Sequence, residues 1–218
     1  MSLLPFQPYS TFAVSGSTGS GKTYWVRKLL NNMTEMFENP KPVEILYCYG
    51  VNQELFHQME QELAGIIKFH SGLPKNDEIE QFAADARHRI IVLDDLIAEV
   101  TKSQTMQDLF CQFCHHKHIT VLFLTQNLFQ QGKYARTIAL NTHYIILMKS
   151  LRNRSQISYL GRQLFPENSH IISEAYQDSM KQQQFPYLVI DMTPHSKDMY
   201  RIRTNIFPGE YPIIYIRI

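Results

Sequence analysis

The residues best suited to chemistry lie close together near the start of the chain, in Gly16-Ser17-Thr18-Gly19-Ser20-Gly21-Lys22-Thr23. Phosphate oxygens need many donors at close range. Three glycines let the backbone curl so that successive N–H groups converge on a β-phosphate, and a following helix turns its positive end to the same charge. Lys22 adds a mobile cation for the β- and γ-oxygens, and the Thr23 hydroxyl is a ligand for magnesium. A glycine-rich turn alone would bind nothing. This one follows a predicted strand and opens a predicted helix, the context that phosphate binding requires, so the ligand it implies is ATP with Mg2+.

Two further groups complete a plausible hydrolytic site. Ile90-Ile91-Val92-Leu93 is an unbroken apolar run closed by Asp94-Asp95. A buried strand ending in two carboxylates presents acid at the rim of a sheet. Asp94 suits magnesium, through water, and Asp95 suits polarisation of the attacking water. The competing reading is that one aspartate only caps a helix. Thr125-Gln126-Asn127 follows the next apolar run. An amide there can hold the nucleophilic water or sense the γ-phosphate, with Gln126 the favoured residue, although threonine and asparagine also suit ordinary turns.

The elements that must position these groups alternate along the chain. Strands are predicted at Thr11 to Val14, Val43 to Tyr49, Ile90 to Leu93, Ile119 to Leu124 and Tyr144 to Met148. Tyr187 to Ile190, Tyr200 to Arg203 and Ile213 to Ile218 are further strands, the last suited to a sheet edge or to pairing with a neighbour. Helices are predicted at Thr23 to Asn32 (Trp25, Val26, Leu29 and Leu30 inward), Gln53 to Ala64 (Leu55, Met59 and Leu63 inward), Ser103 to Lys117 and Arg152 to Leu164. Apolar runs without alternation suit strands covered on both faces of a parallel sheet, and ligands of such sheets bind at the carboxyl ends of the strands.

Composition sets the outer limits. With 218 residues, 44% hydrophobic and 19% charged, the chain is expected to form one α/β domain with a sizeable core. A net charge of +1 gives no bulk signature of nucleic-acid binding, so any basic surface must be local. Three cysteines, Cys48, Cys111 and Cys114, imply no disulfide framework. No secretory leader is visible, and no stretch nears the roughly 18 apolar residues of a membrane span. A soluble intracellular protein with no membrane partner is expected.

Taken in order, Gly16 to Thr23, Ile90 to Asp95, Leu124 to Asn127, Asn141 to Ile146 and Arg152 to Ile157 resemble the FtsK–HerA superfamily of DNA-pumping ATPases. The likeness is nearest to the genome-packaging ATPases of poxvirus-type and polinton-type viruses. It spans about Thr11 to Leu164, and implies a P-loop NTPase three-layer sandwich, with a mainly parallel central sheet of the additional-strand RecA/FtsK-like type. On this reading residues 1–218 are a single ATPase domain, with a nucleotide-binding core at about 11–164 and an extension at 165–218.

The resemblance also implies a homo-oligomeric ring, a pentamer or hexamer, around double-stranded DNA, with a capsid component as a further partner. The setting it implies is the host nucleus or cytoplasm, or the virion. Each site would be completed by an arginine from the neighbouring subunit. The chain departs from the pattern in two places. Asp95 stands where many relatives carry glutamate, a shorter reach to water. His143 stands where some cellular relatives carry the arginine, which leaves Arg136, Arg152 or Arg154 for that role.

Other signals point elsewhere. Cys111-Gln112-Phe113-Cys114-His115 has the spacing of a haem attachment site, and with His118 it imitates a zinc site. A helix running into a buried strand needs Leu109, Phe110 and Phe113 for packing, so core is the better reading. His115 to His118 with Lys133 and Arg136 fits a DNA-facing patch or a solvated helix end equally well. Arg152, Arg154 and Arg162 also suit the lid of a nucleotide or small-molecule kinase, but two acids and a strand-tip amide suit water activation better. No Asn-Lys-x-Asp guanine reader occurs. The remaining alternative is a non-catalytic ATP-binding adaptor, against which the intact Lys22, Thr23, Asp94 and Asp95 argue.

Overall fold

A computed structural model describes residues 4–151, 154–181 and 184–216. Nine strands are assigned: β1 (Thr11–Ser15), β2 (Glu44–Tyr49), β3 (Ile67–Ser71), β4 (Arg89–Asp94), β5 (Ile119–Thr125), β6 (Tyr144–Met148), β7 (Tyr187–Asp191), β8 (Ile202–Thr204) and β9 (Ile213–Ile214). They form one sheet in the order β3-β2-β4-β5-β1-β6-β7-β8-β9. The six strands from β3 to β6 are parallel. The last three pair antiparallel. β5 stands between β1 and β4, so the strand leading to the phosphate loop and the strand carrying the acids are not neighbours. This is the additional-strand order.

Every residue of β4 and β5 is buried, and alternate side chains serve opposite faces. Ile90, Val92, Leu122 and Leu124 join Trp25, Val26, Leu29 and Leu30 of the helix Lys22–Asn31. Ile91, Leu93, Val121 and Phe123 join Met106, Leu109 and Phe110 on the other side. Further along the sheet, Leu147, Leu188 and Ile190 pack under Ile157, Leu160, Ile171 and Ile172. The result is three layers, helices over both faces of a mainly parallel sheet.

Several expected elements shift. The helix after β2 is Leu55–Glu62, with Phe56 and Met59 buried rather than Leu55. Ser103 to Lys117 is one helical segment in three parts: Gln104–Asp108, a π turn at Leu109–Phe113, and Cys114–His116. β8 starts at Ile202 because Asp198–Tyr200 is a 3-10 turn. β9 covers only Ile213–Ile214 of the predicted Ile213 to Ile218, whose last two residues lie outside the described ones. β3 and the helices Asn76–Phe82 and His170–Ser179 had no counterpart in the sequence reading.

The cysteine-histidine run is taken up by separate contacts. Buried Cys114 Sγ donates to the Phe110 carbonyl at 3.4 Å, and Asn141 Nδ2 donates to Cys111 Sγ at 3.4 Å. The His115 ring meets His143 with centroids 5.5 Å apart, and the His118 ring meets Tyr9 at 4.7 Å. Among the described residues no helix is long and apolar enough to cross a membrane.

Candidate functional site: a phosphate cleft at the carboxyl ends of the strands

The phosphate loop leaves β1 while still tied to the sheet, since Gly16 N–H donates to the Thr125 carbonyl at 3.1 Å. The loop ends at Gly21, which caps the helix Lys22–Asn31 in the left-handed region at φ 92°. A side chain there would be strained and would also collide: a Cβ would fall 2.4 Å from Phe185 Cδ1. Among the described residues no side chain caps this helix, whose first N–H groups have no intrahelical partner.

Lys22 Nζ donates to the carbonyls of Gly16 (2.8 Å) and Ser17 (3.1 Å). Burial lowers its pKa, and the charges of Asp94 and Asp95 oppose that shift. Thr23 Oγ1 donates to Asp94 Oδ2 at 3.2 Å, and Tyr47 Oη donates to the same oxygen at 2.7 Å. Asp94 is only 4% exposed. Burial raises its pKa, while the hydroxyls of Tyr47 and Thr23 and the charge of Lys22 pull it back. A threonine hydroxyl beside a buried carboxylate is a hard-oxygen donor pair. It fits magnesium, which takes one or two protein oxygens and keeps its remaining places for water and phosphate. Among the described residues no three His, Cys, Asp or Glu side chains are grouped as metal ligands.

Asp95 is set apart from Asp94 by its backbone. At φ 57° it occupies the left-handed region, which aspartate tolerates better than most residues. The chain turns sharply out of β4 and its carbonyl passes close to β2: a Cβ on Gly50 would lie 2.5 Å from Asp95 O. Gly50 N–H fixes the approach by donating to the Asp94 carbonyl at 3.0 Å. Asp95 is exposed and lines the cleft.

At the tip of β5 the work is divided. Thr125 Oγ1 donates to the Asn127 carbonyl at 2.9 Å and accepts from Asn127 N at 3.1 Å, and Asn127 Oδ1 accepts from Phe129 N at 3.0 Å. Turn chemistry accounts for these two residues. Gln126, between them, is exposed and lines the cleft.

The cleft encloses about 430 Å³. Its walls bring together Thr18, Lys22, Thr23, Asp94, Asp95 and Gln126. Tyr24 and Phe185 line it too, with ring centroids 4.8 Å apart. Tyr47, Tyr24 and Phe185 were absent from the sequence reading. The reach of Tyr47 to Asp94 depends on β2 lying beside β4. Phe185 reaches the loop because β7 runs opposite to β6, so that its amino end meets the carboxyl ends of the parallel strands. Tyr24, directly after Thr23, was within reach of the sequence.

The arginines stand apart. Arg136 is exposed in the first turn of the helix Ala135–Leu140, and exposed Arg154 opens the helix Arg154–Leu164. Neither lines the cleft. Arg152 lies outside the described residues. His143 turns inward: its Nδ1 lies 2.8 Å from Thr11 Oγ1, at the amino ends of the strands and opposite the phosphate loop.

No protein-family model and no curated protein matches the sequence. Solved structures do. One is B204, the DNA-packaging ATPase from Sulfolobus Turreted Icosahedral Virus, with a TM-score of 0.56 at 13% identity over 97% of this chain and 98% of that one. Another is EssC (ATPases 2 and 3) from Geobacillus thermodenitrificans, with a TM-score of 0.51 at 13% identity over 96% of this chain and 40% of that one. The fold is that of a P-loop ATPase. Both likenesses run over nearly the whole of this chain, and at 13% identity they are likenesses of fold.

Proposed function

We propose that this chain is an ATP-hydrolysing motor that translocates or packages double-stranded DNA, acting as a homo-oligomeric ring with a capsid component as a further partner. The observation that carries hydrolysis is the meeting of three strand tips in one cleft: the loop after β1, Asp94-Asp95 after β4, and Gln126 after β5. The loop amides and Lys22 hold the triphosphate. Magnesium, when bound through Thr23 and Asp94, offsets charge on the β- and γ-oxygens. Asp95 accepts the proton of the attacking water, and Gln126 orients that water against the γ-phosphate.

DNA translocation and the ring are supported by the motif series and by the backbone likeness to the DNA-packaging ATPase B204. The kinase reading is disfavoured by packing. The helix Arg154–Leu164 buries Ile157, Leu160 and Gly161 and shares a core with Ile171 and Ile172 of the helix His170–Ser179. A helix fixed in this way is part of the frame and not a lid.

The test is complementation. Arg136→Ala, Arg152→Ala and Arg154→Ala are each assayed for ATP binding and for DNA-stimulated hydrolysis, alone and mixed with Lys22→Ala subunits. An arginine acting on the neighbouring site contributes ~10³–10⁵ in rate. At least one variant should bind ATP, barely hydrolyse it, and regain activity in the mixture. If subunits exchange and no variant is rescued, the shared-site motor is refuted.

A further inference from the structure

One wall of the cleft is aromatic. Tyr24 follows the magnesium ligand Thr23 directly and is 45% exposed, although it sits on the same helix as the buried Trp25. Its ring lies against that of Phe185 at 4.8 Å and 43°. Phe185 in turn rests on Gly21, where even a methyl group would collide with it. Both rings line the phosphate cleft and also a smaller cleft of about 100 Å³ that continues beyond it, past Lys28 and Gln184. Two tilted aromatic rings thus face open space at the end of the loop that holds the phosphates.

We propose that Tyr24 and Phe185 form the platform on which the base of the bound nucleotide stacks, an inference that rests on the phosphate-loop reading above. Stacking of a base on an aromatic side chain contributes ~1–3 kcal/mol, and it tolerates different bases because each has a π-face. Amide side chains at these clefts, Gln53 and Gln184, can both donate and accept, so they do not separate an amino from a keto edge. The platform therefore selects ring area over base identity. It ranks purine above pyrimidine nucleotides and separates ATP from GTP poorly.

The experiment compares magnesium complexes of ATP, GTP, CTP and inorganic tripolyphosphate binding to the parent chain and to three variants. Phe185→Ala should weaken ATP roughly ten-fold, with tripolyphosphate unchanged and Phe185→Trp restoring the loss. Tyr24→Ala, at an exposed helical position where alanine is well tolerated, should weaken ATP without affecting tripolyphosphate, and it decides the matter if Phe185→Ala does not fold. Equal losses for ATP and tripolyphosphate would show that the rings only support the loop, and the platform would be overturned. The same follows if the parent binds CTP as tightly as ATP. A parent that binds neither ATP nor tripolyphosphate would overturn the phosphate-loop reading, and the platform with it.

Discussion

Tyr47→Phe removes one hydroxyl from the interior and keeps the ring that packs on Phe56 and Phe69. That hydroxyl lies 2.7 Å from Asp94 Oδ2, and Tyr47 is fully buried. Hydrogen bonds to charged groups contribute ~1.5–3 kcal/mol, and of the two side-chain donors to this oxygen Tyr47 makes the shorter contact. The loss falls on the ionised form of Asp94. Burial already raises the pKa of this carboxyl against the pull of its two hydroxyl partners, so with one partner gone it keeps its proton to higher pH. A raised carboxyl pKa adds stability at low pH that is lost as pH rises through the folded value, and the variant moves that loss upward. Magnesium needs the carboxylate. The metal-dependent part of ATP affinity should therefore fall roughly ten-fold or more at mildly acidic pH and recover toward the parent in alkali. Calorimetric titration with ATP across pH, with and without magnesium, measures this. A loss of equal size at every pH, or one that persists without metal, would refute the reasoning and leave Tyr47 as a packing residue.

Asp95→Asn should bind ATP like the parent and lose nearly all hydrolysis, because an amide cannot accept the water's proton while asparagine still tolerates φ 57°; ATP affinity and steady-state turnover measure the two halves. Gly50→Ala forces the Asp95 carbonyl to move, so it should cost ~1–3 kcal/mol in urea unfolding and lower turnover more than ATP affinity. His88 Nδ1 donates to the Pro40 carbonyl at 2.7 Å and its Nε2 lies 2.8 Å from Thr120 Oγ1, and burial lowers its pKa from 6.5 to about 4. Its contribution is complete above pH 6.5 and is lost as pH falls toward 4, by about 3 kcal/mol at most. His88→Gln should flatten the dependence of unfolding free energy on pH over that window.

The parts of the site that were legible in the sequence are those fixed by a few consecutive residues. A glycine-spaced loop must curl, an unbroken apolar run must be covered on both sides, and acids directly after it must emerge at the rim. The inward face of the helix Lys22–Asn31 was equally plain, because its four buried residues share one stripe. Non-local facts were not legible. That β2 lies beside β4, which brings Tyr47 to Asp94, is a property of sheet order. β3 escaped because Lys68 and His70 interrupt its apolar pattern. The π turn at Leu109–Phe113 changes the helical repeat over too short a span to disturb the periodicity. For Arg136 and Arg154 the sequence supplies charge and position, and the cleft of a single chain does not include them.

The antiparallel strands after Leu164 have a consequence for how copies of this chain behave in solution. β6 reads Tyr-Ile-Ile-Leu-Met, and left without a partner its N–H and C=O groups would template the addition of further chains. β7 covers all five of its residues, β8 continues for three, and β9 ends the sheet with two. Among the described residues the strand at this edge thus shortens from five residues to two. At the far side the same hazard is met with charge, since β3 carries exposed Lys68 paired with Glu44. A fragment cut after Leu164 would keep the phosphate loop, both acids and Gln126, yet it would expose β6 and aggregate. The least motif-rich part of the sequence is therefore what keeps the chains from zipping into ribbons.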